Sequence, residues 1–371
     1  MNDASIAYDV VVVGGGPAGL ACAIALAQTG ARTALIARRA HYADNRTTAL
    51  LDGSIDFLQA LQVWPRCKDN AAGLRVMRLV DDTGRLIRAP EVRFCCEEIG
   101  LDVFGYNIEN RILVSALEER AAELSNLTRF DDDAATVAPE DRLVAIHLVG
   151  GGSLFALLAV GADGRQSLCR EAAGIGVKRR ELHQTALTFN VSHSRPHGNI
   201  STEFHTPQGP CVFVPLPGDR SSVVWVSSPR EAERLMALGD EELSEAAEVQ
   251  AHSILGRLQV EPGRNLFPLA IEQPRQFAKA RVALVGEAAH VLPPIGAQGL
   301  NMGLRDAVDI ADVVSRTFAI DIANRSLLSA FVPMQTLRAA GLHLIGSFGP
   351  LRRLAMREGL APSWRSSRHV S

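Results

Sequence analysis

Tyr8-Asp9-Val10-Val11-Val12-Val13 runs directly into Gly14-Gly15-Gly16-Pro17-Ala18-Gly19, and Leu20-Ala21-Cys22-Ala23-Ile24-Ala25-Leu26-Ala27 follows. The first block is short and β-branched, as a strand buried in a parallel sheet would be. The second is GxGxxG, and the third reads as a helix of small residues. Strand, glycine turn and helix in that order predict an α/β, Rossmann-like fold that holds a dinucleotide at its first turn. Gly14 permits the tight turn, Gly16 leaves room for a pyrophosphate against the backbone, and Gly19 lets helix and strand pack closely. Pro17 suits the first helical turn, where its missing N–H costs nothing. The free amides beyond it, from Ala18 on, and the helix dipole then face the phosphates.

The second strand, Arg32 to Ala37, lacks the acidic residue expected at its end to hold an adenosine ribose; Ala37-Arg38-Arg39 stands there instead. One reading places an arginine on the 2′-phosphate of NADP. The other is a solvated loop, and the later motifs favour it.

The chain around this motif is ordinary for a globular protein: 371 residues, 47% hydrophobic and 21% charged, enough for two joined domains. A net charge of −3 predicts no broad attraction to nucleic acid or anionic membrane. The six cysteines (Cys22, Cys67, Cys95, Cys96, Cys169, Cys211) show no CxxC pairing and no metal-ligand spacing. They predict buried thiols in a reducing cytosol. Val10 to Ala31 carries no charge over about the length of a membrane span. Its glycines and proline divide it into strand, turn and helix, and Asp3 and Asp9 stand where a secretory signal has basic residues. No transmembrane helix, low-complexity tract or internal repeat is expected.

Leu154 to Val160 is a second apolar run, ending in Gly161-Ala162-Asp163-Gly164-Arg165-Gln166-Ser167 with Arg170 beyond. A carboxylate and tight glycines at a buried strand's end suit cofactor contact, though an Asp-Gly pair alone is a turn signal. Arg281 to Gly286 is a third such strand, followed by Glu287-Ala288-Ala289-His290 and Val291-Leu292-Pro293-Pro294-Ile295-Gly296-Ala297-Gln298-Gly299-Leu300-Asn301. Met302, Leu304, Ala307, Val308, Ile310, Ala311 and Val314 then form a helical apolar stripe. A glycine-rich loop feeding a helix N-terminus is an anion site. Amides near Gly299, Leu300 and Asn301 suit the charge of a reduced flavin around N1 and the C2 carbonyl.

GGGPAG, GADGRQS and GEAAHVLPPIGAQGLNMGLRDA resemble, in order and spacing, the three fingerprints of the class A flavoprotein monooxygenases. The third block is similar to para-hydroxybenzoate hydroxylase and most similar to the ubiquinone-biosynthesis hydroxylases, as is Asp44-Asn45-Arg46-Thr47-Thr48-Ala49-Leu50. The resemblance implies FAD as cofactor, NAD(P)H as electron donor, and O₂ and a hydrophobic aromatic compound as substrates. An OH group passes from a flavin C4a-hydroperoxide to an electron-rich ring, a polyprenylphenol of ubiquinone biosynthesis in the nearest subgroup. It places Gly14, Gly16, Pro17, Ala18 and Gly19 on the pyrophosphate. Arg46 and Asn110 fall on the AMP or ribityl side, and Asp163 and Gly164 in a motif linked to both FAD and NAD(P)H. Gly286 and Glu287 fall at the ribityl chain, and Pro293, Gly296, Gly299, Leu300 and Asn301 line the isoalloxazine. No side chain is needed as a nucleophile.

Three departures from the family stand out. Glu287 replaces the usual Asp, Ala37 replaces the ribose carboxylate, and the chain after Val314 is shorter than in relatives. They leave two other readings open: a same-fold flavoenzyme on another substrate (a small phenol hydroxylase or a reductase), or a catalytically impaired scaffold in a quinone-biosynthesis complex.

The cofactor domain is expected to be discontinuous, over 1–73, 100–175 and 270–315. A substrate-binding β-sheet domain occupies 74–99 and 176–269, and a C-terminal helical segment 316–371. Thr185 to Ser192, Ser201 to His205, Cys211 to Pro215 and Ser222 to Val226 read as strands flooring a substrate pocket. Phe204, Phe213 and Trp225 are candidates to line it, with plain sheet core the competing reading. His183, His193, His197 and His205 lack metal-site spacing, and His290 is expected to be a structural hydrogen-bonder. In the tail, Leu342, Leu344, Ile345, Phe348 and Leu351 beside Arg352, Arg353 and Arg357 read as an amphipathic helix. It either touches a membrane or partner or packs as an ordinary helix. The expected location is the cytoplasm, with peripheral contact at the inner membrane as the extension of the first of these; the oligomeric state is left open.

Overall fold

The computed structural model of the chain describes residues 7–39, 45–294 and 296–328, with side chains as far as 317. The residues up to Asp312 form one compact unit; Val313–Ser371 form a second, helical as far as Leu328 where its description ends. The expected amphipathic tail around Leu342 to Arg357 lies outside the described residues.

The valine run is the middle of a parallel sheet. Tyr8–Val13 pairs in parallel with Thr33–Ile36 on one side and Ser153–Gly161 on the other. Leu127–Phe130 and Val282–Leu284 extend the sheet outward, also parallel. An antiparallel hairpin, Ala134–Pro139 with Val144–Leu148, joins beside Ser153–Gly161. The helix Pro17–Gln28 is buried from Gly19 to Ala27, polar on no side. Such a helix must be covered all round, and it lies between this sheet and the helix Asn110–Ala122.

A second sheet is built on the long strand Val177–His193, which pairs with Arg220–Ser227, Asn265–Pro274 and Leu258–Val260. It continues through Gly209–Leu216, Ile200–Thr206 and Val76–Asp81 to an edge at Val92–Cys95. A small third sheet joins Thr47–Leu51, Gly105–Glu109 and Ala71–Leu74. Its link to the second sheet is polar: Thr47 Oγ1 donates to Ser222 Oγ at 2.8 Å, and Asn107 Nδ2 to the Pro215 carbonyl at 2.9 Å. Asn190 Nδ2 reaches the Asn45 carbonyl at 3.1 Å.

Strand pleating assigns the faces of the second sheet. Leu187, Phe189, Val191, Phe204, Cys211, Phe213, Val223 and Trp225 share one face, against residues of the helices Pro229–Met236 and Asp240–Gln250. Phe204 and Phe213 meet edge-on there, with ring centroids 6.2 Å apart. The expectation that Phe204, Phe213 and Trp225 line a substrate pocket is corrected: Phe204 and Phe213 are core beneath the helices, and Trp225 packs, partly buried, against the same cluster. The face turned to the small sheet carries Thr188, Asn190, Val212, Val214, Ser222 and Val224. A period of two shows that a strand has two faces, but not which one meets the cofactor.

All six cysteines are free thiols, and all but Cys95 are buried. Burial pushes the Cys22 thiol up to about 12 and the Cys67 thiol up to about 11. Among the described residues no helix is long and apolar enough to cross a membrane, and no group of three or more His, Cys, Asp or Glu is placed to hold a metal ion.

Candidate cofactor site

Three parallel strands end side by side, so the three loops that follow them converge. The Ala162 amide donates to the Val13 carbonyl at 2.8 Å, the Val285 amide to Gly161 at 2.9 Å, and the Gly14 amide to Ile36 at 2.9 Å. Contact at the first turn leaves no room for side chains. Gly14 has φ +115°, and a Cβ there would sit 2.3 Å from the Ala162 carbonyl oxygen. One on Gly19 would sit 2.2 Å from the Gly14 oxygen. By contrast, Gly16 has nothing within 4 Å of a Cβ position among the described residues, so the turn is open on that side. Gly16 is the N-cap of Pro17–Gln28 and supplies no side-chain acceptor. The helix therefore presents free amides to that opening.

The third loop closes on the same turn. Gly286 has φ +60°, and a Cβ at Gly303 would lie 3.0 Å from the Gly286 Cα and 3.1 Å from the Ala18 Cβ. Asp306, one helical turn beyond Gly303, accepts from the Gly286 amide at 3.1 Å and from His290 Nε2 at 2.8 Å. Sequence reasoning passed over both residues, though their spacing of three puts them on one helix face. His290 Nδ1 is buried without a hydrogen-bond partner among the described residues.

Asn301 fixes where the helix Gln298–Leu328 starts. Its Nδ2 donates to the carbonyls of Ala49 at 2.8 Å and Ala297 at 2.6 Å, while its Oδ1 accepts from the Leu51 amide at 2.9 Å. Its side chain thus behaves as an extra residue of strand Thr47–Leu51. Gly296 is exposed with φ +59° and Pro293 is half-buried. Gly299 and Leu300 occupy the first turn of the helix, and a Cβ at Gly299 would meet nothing within 4 Å among the described residues. Their amides have no hydrogen-bond acceptor among the described residues.

The second loop is a staple. Asp163 accepts from Ser167 Oγ at 2.6 Å and from the Cys169 amide at 3.0 Å, so its carboxylate braces its own turn. Arg170 donates to the Arg165 carbonyl at 2.6 Å and the Ala288 carbonyl at 3.0 Å, tying the second loop to the third. Gly164, at φ +79°, has open space beside it. The Glu287 carboxylate is largely exposed and meets Arg165 Nε at 3.3 Å.

The far side is formed by Arg46 and Asn110. The Asn110 amide donates to the Arg46 carbonyl at 2.9 Å, and the Arg46 guanidinium lies 5.4 Å from the Phe267 ring centre. Asn110 Oδ1 is buried and has no partner among the described residues. Beneath it, Glu109 bonds Arg111 at 2.5 Å and Arg220 at 3.1 Å, and Arg220 bonds Glu261 with both ends of its fork. Burial raises the Glu109 carboxyl, but the two arginines outweigh it and hold the group below its ordinary value. Ala37 is buried, its Cβ 2.7 Å from where a Gly15 Cβ would stand. Arg38 pairs with Asp133 at 2.7 Å, an exposed contact.

These observations fit a bound FAD. An open glycine turn under free helix amides suits a pyrophosphate, and a second uncapped helix start suits an electron-rich ring edge. An orphaned amide oxygen at Asn110 suits a sugar or ribityl hydroxyl.

The profile of the FAD binding domain family matches residues 7–337. The ubiquinone hydroxylase UbiL of Rhodospirillum rubrum is 29% identical, over 95% of this chain and 89% of that protein. The 3-demethoxyubiquinol 3-hydroxylase of Escherichia coli K12 is 32% identical, over 82% of this chain and 79% of that protein. Among solved structures, Pseudomonas aeruginosa PqsL in complex with 2-aminobenzoylacetate has the same fold, with TM-score 0.70, 22% identity and 90% of each chain covered. A matched family profile, relatives aligned along most of their length and a glycine-lined FAD site agree: the chain belongs to the FAD-binding class A flavoprotein monooxygenases.

Proposed function

We propose that this FAD-dependent monooxygenase hydroxylates the ring of a lipid-soluble phenol on the way to ubiquinone. The observation that carries the reading is the contact of all three loops at one point: Gly14 against Ala162, and Gly303 against Gly286 and Ala18. The names of the relatives from R. rubrum and E. coli supply the substrate class. FAD, when bound, would supply the oxygen chemistry, with NAD(P)H as electron donor and O₂ as the oxygen source.

The chain's own residues bind, orient and shield. Gly14, Gly16 and Gly19 leave the backbone free to lie along the pyrophosphate, with Pro17 and Ala18 opening the helix that faces it. Arg46 and Asn110 hold the adenylate and ribityl side. Gly286 and Glu287 border the ribityl chain, with Arg165 steering the longer carboxylate. The amides of Gly299 and Leu300, at a helix start held by Asn301, stabilise negative charge on the flavin's pyrimidine edge. Pro293 and Gly296 shape the loop beside the ring. Asp163 and Gly164 keep the second loop in place. Thr188, Val212, Val224 and Phe267 form the wall opposite, where a substrate ring is placed and water excluded.

In this reading 1–73, 100–175 and 270–315 form the cofactor domain, and 74–99 with 176–269 the substrate domain. The test is a reaction with ¹⁸O₂, NAD(P)H and a prenylated phenol. Label is expected in the product ring. Turnover of NAD(P)H to peroxide alone, with every prenylated phenol supplied, would exclude the proposed substrate.

A further inference from the structure

Residues 84–94 are exposed without interruption, at the far edge of the second sheet. At their tip, Arg85-Leu86-Ile87-Arg88 places two large apolar side chains between two guanidinium groups. Leu86 is 101% exposed and Ile87 88%. Phe94 and Ile99 nearby are 50% and 66% exposed. Single exposed apolar residues are common, but five in one short stretch of sequence, with Val92 as the fifth, are not.

The loop is presented rather than loose. Asp81 accepts from the Thr83 hydroxyl at 2.6 Å, the Thr83 amide at 3.1 Å and the Ala89 amide at 2.8 Å. The Thr83 hydrogen bonds lead in holding that carboxylate down at about 2, so the clamp persists across the physiological range. Both ends of the loop are strands, Val76–Asp81 and Val92–Cys95, and Val76–Asp81 is paired with Ile200–Thr206 in the sheet that carries the proposed substrate wall.

We propose that the 82–91 loop is a membrane-docking tip: Leu86 and Ile87 enter the acyl region of an anionic bilayer while Arg85 and Arg88 bind its headgroups. The charge pattern selects a bilayer over a protein groove. Between Thr83 and Pro90 there are two arginines and no acid, while Glu91 is occupied by Arg93 at 2.6 Å. Leu86 and Ile87, projecting almost fully and flanked by two cations, match the interfacial layering of lipid. The overall charge of −3 makes the attraction local to this tip. The inference rests on the lipid-soluble substrate proposed above, which would reach the active site from the surface at which the loop docks.

The test uses the full chain with bound FAD and sedimentation with phosphatidylcholine vesicles, with and without a minority of phosphatidylglycerol. Wild type is expected to pellet with the anionic vesicles and to release as salt rises. Leu86→Asp/Ile87→Asp should weaken partitioning at least about tenfold, with melting temperature and flavin content unchanged. Arg85→Ala/Arg88→Ala should lose the preference for phosphatidylglycerol and the salt dependence. Equal binding by wild type and the Asp pair would overturn the proposal. So would a wild-type dimer that the Asp pair dissociates, which would make the loop a contact between copies. Sedimentation needs no turnover, so failure here leaves ring hydroxylation standing, and failure of ¹⁸O incorporation leaves vesicle binding standing.

Discussion

Replacing Asn301 tests whether the helix start proposed to face the flavin is held by one side chain. In Asn301→Ala three hydrogen bonds go, to Leu51, Ala49 and Ala297. Each is worth about 0.5–1.5 kcal/mol, and half-buried backbone groups left without partners put the total near 2–4 kcal/mol. With an unfolding entropy of about 2 cal/mol/K per residue, a 371-residue chain has about 0.8 kcal/mol/K, so the melting temperature should fall by about 3–5 °C. Asn301→Asp keeps the acceptor for Leu51 but turns carboxylate oxygens toward two carbonyls that now lie 2.6 and 2.8 Å from the amide nitrogen. It should therefore be worse than Ala at neutral pH, although it is nearly isosteric. The carboxyl in that cradle has its folded pKa raised above the unfolded value of about 4. The penalty is absent below about pH 4 and grows as pH rises toward the folded pKa, so the Asp variant should recover on acidification relative to Ala. Thermal melts of both variants with and without FAD, and fluorescence titration of FAD, give the readout. An Asp variant as stable as wild type at pH 7.5, or one that does not recover in acid, would refute the account of Asn301.

Ala37→Glu should supply a ribose hydrogen bond and tighten FAD binding by about 1–3 kcal/mol, seen as a fall of about five- to 150-fold in Kd by flavin fluorescence. Phe213→Ala should cost about 3–5 kcal/mol of stability while leaving KM for the folded enzyme nearly unchanged, whereas Val224→Trp should raise KM and leave stability less affected. Glu109 is held low by Arg111 and Arg220, and His193 is pushed below its ordinary value mainly by burial. Both depressions give stability that is present above the unfolded pKa and lost as pH falls through the folded one. Melting temperature should decline on acidification first through the His193 limb and then through the Glu109 limb, and His193→Gln and Glu109→Gln should each flatten their own. With Cys22 and Cys67 pushed up by burial, a thiol reagent at mildly alkaline pH should label the native protein at Cys95 and leave the other five untouched until unfolding.

The parts of the fold legible in the sequence are those whose geometry is local. A glycine that must avoid a neighbouring carbonyl leaves a mark at its own position, and the strand before it leaves a β-branched run, so the three loops could be placed without coordinates. Partners distant along the chain leave no such mark. The sequence marks Asn301 as a flavin-lining residue, yet its side chain grips Ala49, 252 residues earlier. Arg170 was noted without its role in tying two loops together. The Glu109–Arg220–Glu261 network, which spans the small and large sheets, drew no notice. The aromatic residues were misplaced for a related reason. Phe204, Phe213 and Trp225 follow the same alternation whichever face is covered by helices, and only the packing of Pro229–Met236 and Asp240–Gln250 breaks the tie.

The join between the small sheet and the large one carries directional polar contacts: the hydrogen bonds of Thr47 and Asn107 and the ion pair of Glu109 with Arg220. Grease lets two surfaces slip by an ångström at little cost, whereas such directional bonds break within a fraction of that distance. The proposed substrate wall is therefore indexed to the strand that follows Arg46 like a key in a slot. A bulkier guest must be admitted by turning individual rotamers, since the wall as a whole has no intermediate stop at which to rest.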